Sequence, residues 1–165
     1  MIDIRGAIED SIATKKKVIE FCLSDIQSSV ELMIRAAKEN KSIFWCGNGG
    51  SAADSQHMAA ELMGGLRSHD RRPVKSIALT TDSSFITAWS NDTSYDDIFS
   101  RQLDALGEEG DLIVAISTSG NSINIFQALM LAKKKNINSI VLTGKTGGKI
   151  ANAGDCVIKV PSDDT

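Results

Sequence analysis

The residues Ser117-Thr118-Ser119-Gly120-Asn121-Ser122 cluster hydroxyl side chains around a glycine, between an apolar run and a helical pattern. Such a loop suits an anion. Backbone N–H groups at a helix start have no intrahelical acceptor, and the helix dipole favours negative charge there. The hydroxyls add donors, and Gly120 keeps the approach sterically open. No lysine lies in the loop, so it is not a nucleoside-triphosphate P-loop. A serine helix cap is the simpler alternative, but one hydroxyl would suffice for that. The chemistry suggested is phosphate binding.

Gly47-Asn48-Gly49-Gly50-Ser51 is a second loop following an apolar run. It lacks the G-x-G-x-x-G spacing of a dinucleotide site. Its glycines let backbone N–H groups come close to a ligand, or else simply make a tight strand-to-helix turn. The helical stretch after it carries Asp54, His57 and Glu61 at spacings of three and four, on one face. His57 and Glu61 suit a metal or a proton-transfer pair. By spacing alone they also fit an exposed polar face with an ordinary His–Glu contact. Asn91-Asp92, taken alone, is a capping turn. Thr143-Gly144-Lys145-Thr146-Gly147-Gly148 lacks full phosphate-loop spacing and reads as a mobile turn with a solvated Lys145. His69 falls in a basic exposed loop, and Trp45 and Trp89 read as packing residues.

The elements that must position these loops follow from hydrophobic period. Residues 3–40 are helical in pattern, with stripes at Ile4, Ile8, Ile12 and Ile19 and at Ile26, Val30, Met33, Ile34 and Ala37, and a break near Ser24-Asp25. Such an amphipathic start is either a partner surface or packs on its own domain. Beyond it, short apolar runs at 42–46, 76–80, 111–117, 139–143 and 156–160 alternate with helical segments at 51–67, 83–90, 95–106 and 123–135 and a short helix near 148–151. Continuously apolar strands separated by helices predict a parallel sheet covered on both faces. The fold class is α/β, a three-layer α-β-α sandwich with a five-stranded parallel sheet. In such sheets ligands lie beyond the carboxyl ends of the strands, which picks out Gly47–Ser51, Thr80–Ser84, Ser117–Ser122 and Thr143–Gly148. The 165 residues form one domain, 1–40 as N-terminal helices and 41–165 as the parallel core.

Bulk composition narrows the function classes. The formal charge of -3 and the pI of about 5.4 do not favour nucleic acid as a partner. The basic runs Lys15–Lys17 and Lys133–Lys135 read as solvated helix faces. Cys22, Cys46 and Cys156 have no metal-like spacing and fit a reducing compartment. No stretch approaches a membrane span, and no apolar signal core is evident at the start. The expectation is a cytoplasmic protein without a membrane partner.

Cys46-Gly47-Asn48-Gly49-Gly50-Ser51-Ala52-Ala53-Asp54-Ser55-Gln56-His57 with Ala60-Glu61-Leu62 resembles the signature of the phosphoheptose isomerases, a sugar isomerase (SIS) family. Ala78–Asp82, Asn91-Asp92, Phe99–Gln102, Ile116–Ser122 and Val160–Thr165 are similar too, in family order, so the resemblance covers nearly the whole chain. It implies isomerisation of sedoheptulose 7-phosphate to D-glycero-D-manno-heptose 7-phosphate, the first step toward the heptose of lipopolysaccharide, capsule or S-layer glycans. It also implies a homotetramer with sites at subunit interfaces, and zinc.

Carried over residue by residue, the resemblance gives Ser117, Thr118, Ser119 and Ser122 to the phosphate. Asn48, Gly49, Gly50, Ser51, Asn91 and Asp92 would contact substrate. Glu61 would be the acid/base carboxylate, and His57 and Glu61 zinc ligands. Two departures stand out. Gly64-Gly65-Leu66 replaces the family's Gly-Arg, so that either Arg67 substitutes or that contact is absent. The family also continues past Asp163-Asp164-Thr165 into a helix bearing a Gln and a His, so the expectation is a chain without that helix and with half the metal set. Two other readings exist. One is a non-catalytic SIS relative that binds the replication initiator, which would not need His57 and Glu61. The other is a sugar-phosphate-sensing regulatory domain, which would be joined to a DNA-binding module.

Overall fold

The computed structural model describes residues 3–162 and residue 164, so Asp163 and Thr165 of the last motif lie outside the described residues. Two helices open the chain, α1 (Ile4–Phe21) and α2 (Leu23–Lys38). They part at Cys22, two residues before the predicted break. Asp3 caps α1 by accepting from the Gly6 N–H at 2.9 Å. The alternating core follows: β1 (Ile43–Gly47), α3 (Gly50–Gly64), β2 (Ser76–Ala78), α4 (Ser83–Asp92), α5 (Ile98–Leu106), β3 (Leu112–Ser117), α6 (Ile123–Lys134), β4 (Asn138–Thr143) and β5 (Cys156–Lys159). Single 3₁₀ turns at Tyr95–Asp97 and Lys149–Asn152 precede α5 and β5.

The strands form one fully parallel sheet in the order β2-β1-β3-β4-β5. The predicted architecture is therefore observed. β1 and β3 lie inside the sheet and are almost wholly buried, which is why they read as unbroken apolar runs. One face packs Phe44, Cys46, Ile113, Ala115 and Val141 against Phe99, Leu103, Ile125 and Leu129. The other packs Ile43, Trp45, Val114 and Ile140 against Ala36 and Ala59. Trp45 is a packing residue, and its indole N–H donates to Ser76 Oγ at 2.9 Å.

All three cysteines are buried and free. Burial pushes the Cys46 thiol far above its ordinary range. Lys15–Lys17 are exposed, in keeping with a solvated face. Among the described residues, no helix is long and apolar enough to cross a membrane.

Three local readings change. The predicted helix to Arg67 stops at Gly64, because Gly65 takes the left-handed conformation (φ 115°) and its N–H returns to the Glu61 carbonyl. Asn91 and Asp92 are the last two residues of α4 and not a turn between helices. The segment after β4 is tied down: the Gly144 N–H donates to Thr118 O at 3.0 Å and the Ile150 N–H to Gly120 O at 3.1 Å.

Candidate active site

β1 and β3 are neighbours in register, Gly47 opposite Ile116, so the loops that leave their carboxyl ends emerge side by side. Between them lies a cavity of about 300 Å³ lined by Asn48, Gly50, Ser51, Ile116, Ser117, Thr118, Ser119 and Ser122. The starts of α3 and α6 both open on it, and their first N–H groups have no intrahelical acceptors. Its lining holds hydroxyls, amide and backbone but no acidic or basic side chain. An anion is favoured there by two helix dipoles and neutral donors.

Local conformation explains the residue types. Gly49 sits at φ 58°, ψ -120°, a region closed to side-chain-bearing residues, and lets α3 begin at once. Ser122 stands at the start of α6 but makes no capping bond; its hydroxyl lies 3.2 Å from Ser117 Oγ. The serine-cap alternative therefore does not describe this residue. Gly120, at φ 66°, is pressed on the Gly147-Gly148 backbone so closely that a Cβ would fall inside the Gly147 carbonyl. The Asn121 side chain folds back, its Nδ2 donating to Ser119 O at 2.9 Å. The loop is held from beneath, and Thr118 and Ser119 remain exposed above.

The remaining predicted residues divide. Gly49 is exposed between two cavity-lining neighbours. His57 is exposed on α3 and, with Asp54, borders a second, apolar cavity of about 410 Å³ walled by Trp45, Val114, Ile116 and Leu142. Ile116 is common to both cavities. Glu61 is half-buried one turn further. Among the described residues no hydrogen bond joins His57 to Glu61, and no group of three or more His, Cys, Asp or Glu comes together. Asn91 and Asp92 are exposed and outside both linings, Asn91 Nδ2 donating to Asp92 Oδ1 at 2.8 Å.

Arg67 is exposed. It is Arg71 that reaches α3, donating through Nη2 to the Glu61 and Leu62 carbonyls at 2.7 and 2.6 Å. A cation there adds a charged donor to carbonyls of the last turn and suits the helix's negative end. Two residues that sequence reasoning passed over touch the site. Asn124 and Tyr95 both hydrogen-bond the Asn48 side chain. Asn124 lies two residues past the hydroxyl loop and was within reach of a longer motif. Tyr95 is 47 residues from Asn48, and no spacing could have found it.

Comparison with known proteins agrees with this geometry. The family model described as SIS domain matches residues 8–144. The phosphoheptose isomerase of Shewanella denitrificans is 46% identical over 165 residues, covering 98% of this chain and 84% of its own. The solved phosphoheptose isomerase GmhA of Neisseria gonorrhoeae superposes with a TM-score of 0.91 at 39% identity, over 98% of this chain and 86% of that one. That of Francisella tularensis gives 0.93 at 34%, over 98% and 85%. These relatives set aside the non-catalytic alternative. With its five-stranded parallel sheet and paired loops, the chain belongs to the phosphoheptose isomerases, isomerase enzymes built on the SIS domain.

Proposed function

We propose that this chain interconverts sedoheptulose 7-phosphate and D-glycero-D-manno-heptose 7-phosphate, and so supplies heptose for lipopolysaccharide, capsule or S-layer glycans. The observation that carries the reading is the neutral cavity between two helix starts, with Ser117, Thr118, Ser119 and Ser122 along its wall. A dianionic phosphate is the ligand such a donor set favours. The names of the relatives supply the sugar. Asn48, Gly49, Gly50 and Ser51 would hold the chain of hydroxyls. Ile116 borders both cavities, and His57 of α3 lies on the second, one turn before Glu61.

Aldose–ketose conversion of this kind proceeds through an enediol. A base removes the C1 proton of the ketose, a proton passes from O1 to O2, and a proton returns to C2. Glu61 is the candidate base and conjugate acid, since a half-buried carboxylate on the helix leaving the ligand loop can serve both transfers. His57, one turn earlier, would hold or deliver a proton at the sugar oxygens.

Zinc fits these two residues in donor type, imidazole and carboxylate at a one-turn spacing. They make two of about four donors, so the set needs others. When bound, the metal would polarise the carbonyl. Glu61→Gln should lower turnover of sedoheptulose 7-phosphate by about 100-fold or more, with product followed by chromatography. Turnover within a few-fold of the parent chain would remove Glu61 from this role.

The reading includes a homotetramer with sites at subunit interfaces. Its support is the apolar stripe of α1, where Ile4, Ile8, Ile12 and Ile19 are 48–68% exposed and seek cover. Exposed Asn91 and Asp92 would then serve a site formed with a neighbouring copy. Replacing Ile8 and Ile12 by Asp should reduce the mass seen by light scattering to that of a smaller species. An unchanged mass would rule this stripe out as the assembly surface.

A further inference from the structure

The Asn48 side chain is held in a way that determines which of its atoms can meet a ligand. Its Nδ2 donates to Asn124 Oδ1 at 3.0 Å, and its Oδ1 accepts from Asn124 Nδ2 at 2.9 Å. A reciprocal amide pair of this kind could in principle turn over as a unit. A third contact prevents it: the backbone N–H of Ile125 donates to Asn124 Oδ1 at 2.9 Å. Only an oxygen can accept from a backbone N–H, so the Asn124 amide has one orientation. Asn124 is 3% exposed, and an inverted amide would leave that N–H facing an NH₂ group in a buried place.

The direction then passes along the network. Asn48 must present nitrogen to Asn124 Oδ1 and oxygen to Asn124 Nδ2. The Tyr95 hydroxyl, 2.8 Å from Asn48 Oδ1, must donate. The Asn48 carbonyl oxygen has two lone pairs, and both are engaged. Of its two N–H bonds one is engaged, and one is left for the cavity that Asn48 lines.

We propose that Asn124 and Tyr95 are positioning residues that lock the Asn48 amide as a donor-only group toward an oxygen atom of the bound sugar phosphate. This rests on the reading of the Asn48 and Ser117–Ser122 cavity as the substrate site. The pair also ties the loop after β1 to the first turn of α6, so the two halves of the cavity keep one spacing.

The test is titration calorimetry on the full chain with sedoheptulose 7-phosphate and, separately, inorganic phosphate. It uses Asn48→Ala, Asn124→Ala, the double variant and Tyr95→Phe. If Asn124 acts through Asn48, each alanine variant weakens sugar-phosphate binding by about tenfold, and the double variant is no weaker than Asn48→Ala. Losses that multiply in the double variant overturn the positioning role, because a separate structural effect of Asn124 would add to that of Asn48. Tyr95→Phe removes one hydroxyl from a half-exposed ring and should weaken sugar-phosphate binding about threefold, with an unchanged unfolding midpoint.

The free chain offers a readout that does not depend on turnover or on alanine variants folding. The side-chain N–H of Asn48 that is bonded to Asn124, and the side-chain N–H₂ protons of buried Asn124, should exchange slowly by NMR in the parent chain. Freely exchanging amides in the parent chain overturn the proposal. Failure of the parent chain to bind either ligand overturns the site reading and the positioning role with it. Bound ligand with multiplying losses overturns the positioning role alone.

Discussion

The two ends of the candidate site are built differently. The hydroxyl loop is packed and bonded on its underside: Gly120 on the backbone of Gly147-Gly148, Asn121 on Ser119, Thr118 O under the Gly144 N–H. His57 stands exposed on one face of α3 with no hydrogen bond to Glu61 among the described residues. One end is a bonded hydroxyl loop assembled by a single parallel sheet, the proposed seat of the phosphate. The other is the proposed reacting pair, His57 and Glu61, on a helix face that leaves His57 exposed. On the proposed function, the contrast separates holding from reacting: loops at strand ends would do the first, and a helix surface would carry the second.

That separation can be broken in graded ways. The largest effect belongs to Gly120→Ala. A methyl group there meets the Gly147 carbonyl and must take a left-handed φ, costing about 2–6 kcal/mol of stability by urea unfolding. A variant as stable as the parent would show that the underside is not rigid.

A smaller effect should split by side. His57→Ala should lower kcat with KM nearly unchanged, whereas Ser119→Ala should raise KM by about fivefold at nearly constant kcat, measured by steady-state kinetics. Both variants changing the same parameter would erase the distinction. The smallest effect is that of salt. Because no charged side chain lines the anion cavity, phosphate affinity should fall less than about threefold between 0.05 and 0.5 M chloride. A steep fall in calorimetric affinity would indicate that cations outside the lining dominate.

The fold was legible because β1 and β3 are buried on both faces and carry little else but apolar residues. Element ends were less legible where a backbone conformation decided them. Gly65 ends α3 although the residues beyond it keep a helical composition. The hydroxyl loop could be found because its residues are consecutive. Asn48 could be found because glycines frame it.

Contacts between distant segments carried no such signal. Tyr95 sits in a 3₁₀ turn whose position depends on how α5 packs, and Arg71 reaches back from a turn that pattern reading treated as solvated. The loop after β4 was read as mobile because its composition is that of a free turn. Its glycines instead permit a backbone-to-backbone contact that any larger residue would forbid.

That contact has a thermodynamic consequence. A flexible loop gives up conformational entropy when its ligand arrives, and the loss lowers affinity. Here the ordering is completed during folding, when β4 and the turn after it dock on Gly120. On the proposed function, domain stability and anion affinity are linked: whatever frees the Gly147-Gly148 turn would disorder the loop, and a bound phosphate would in turn resist the unfolding of β4.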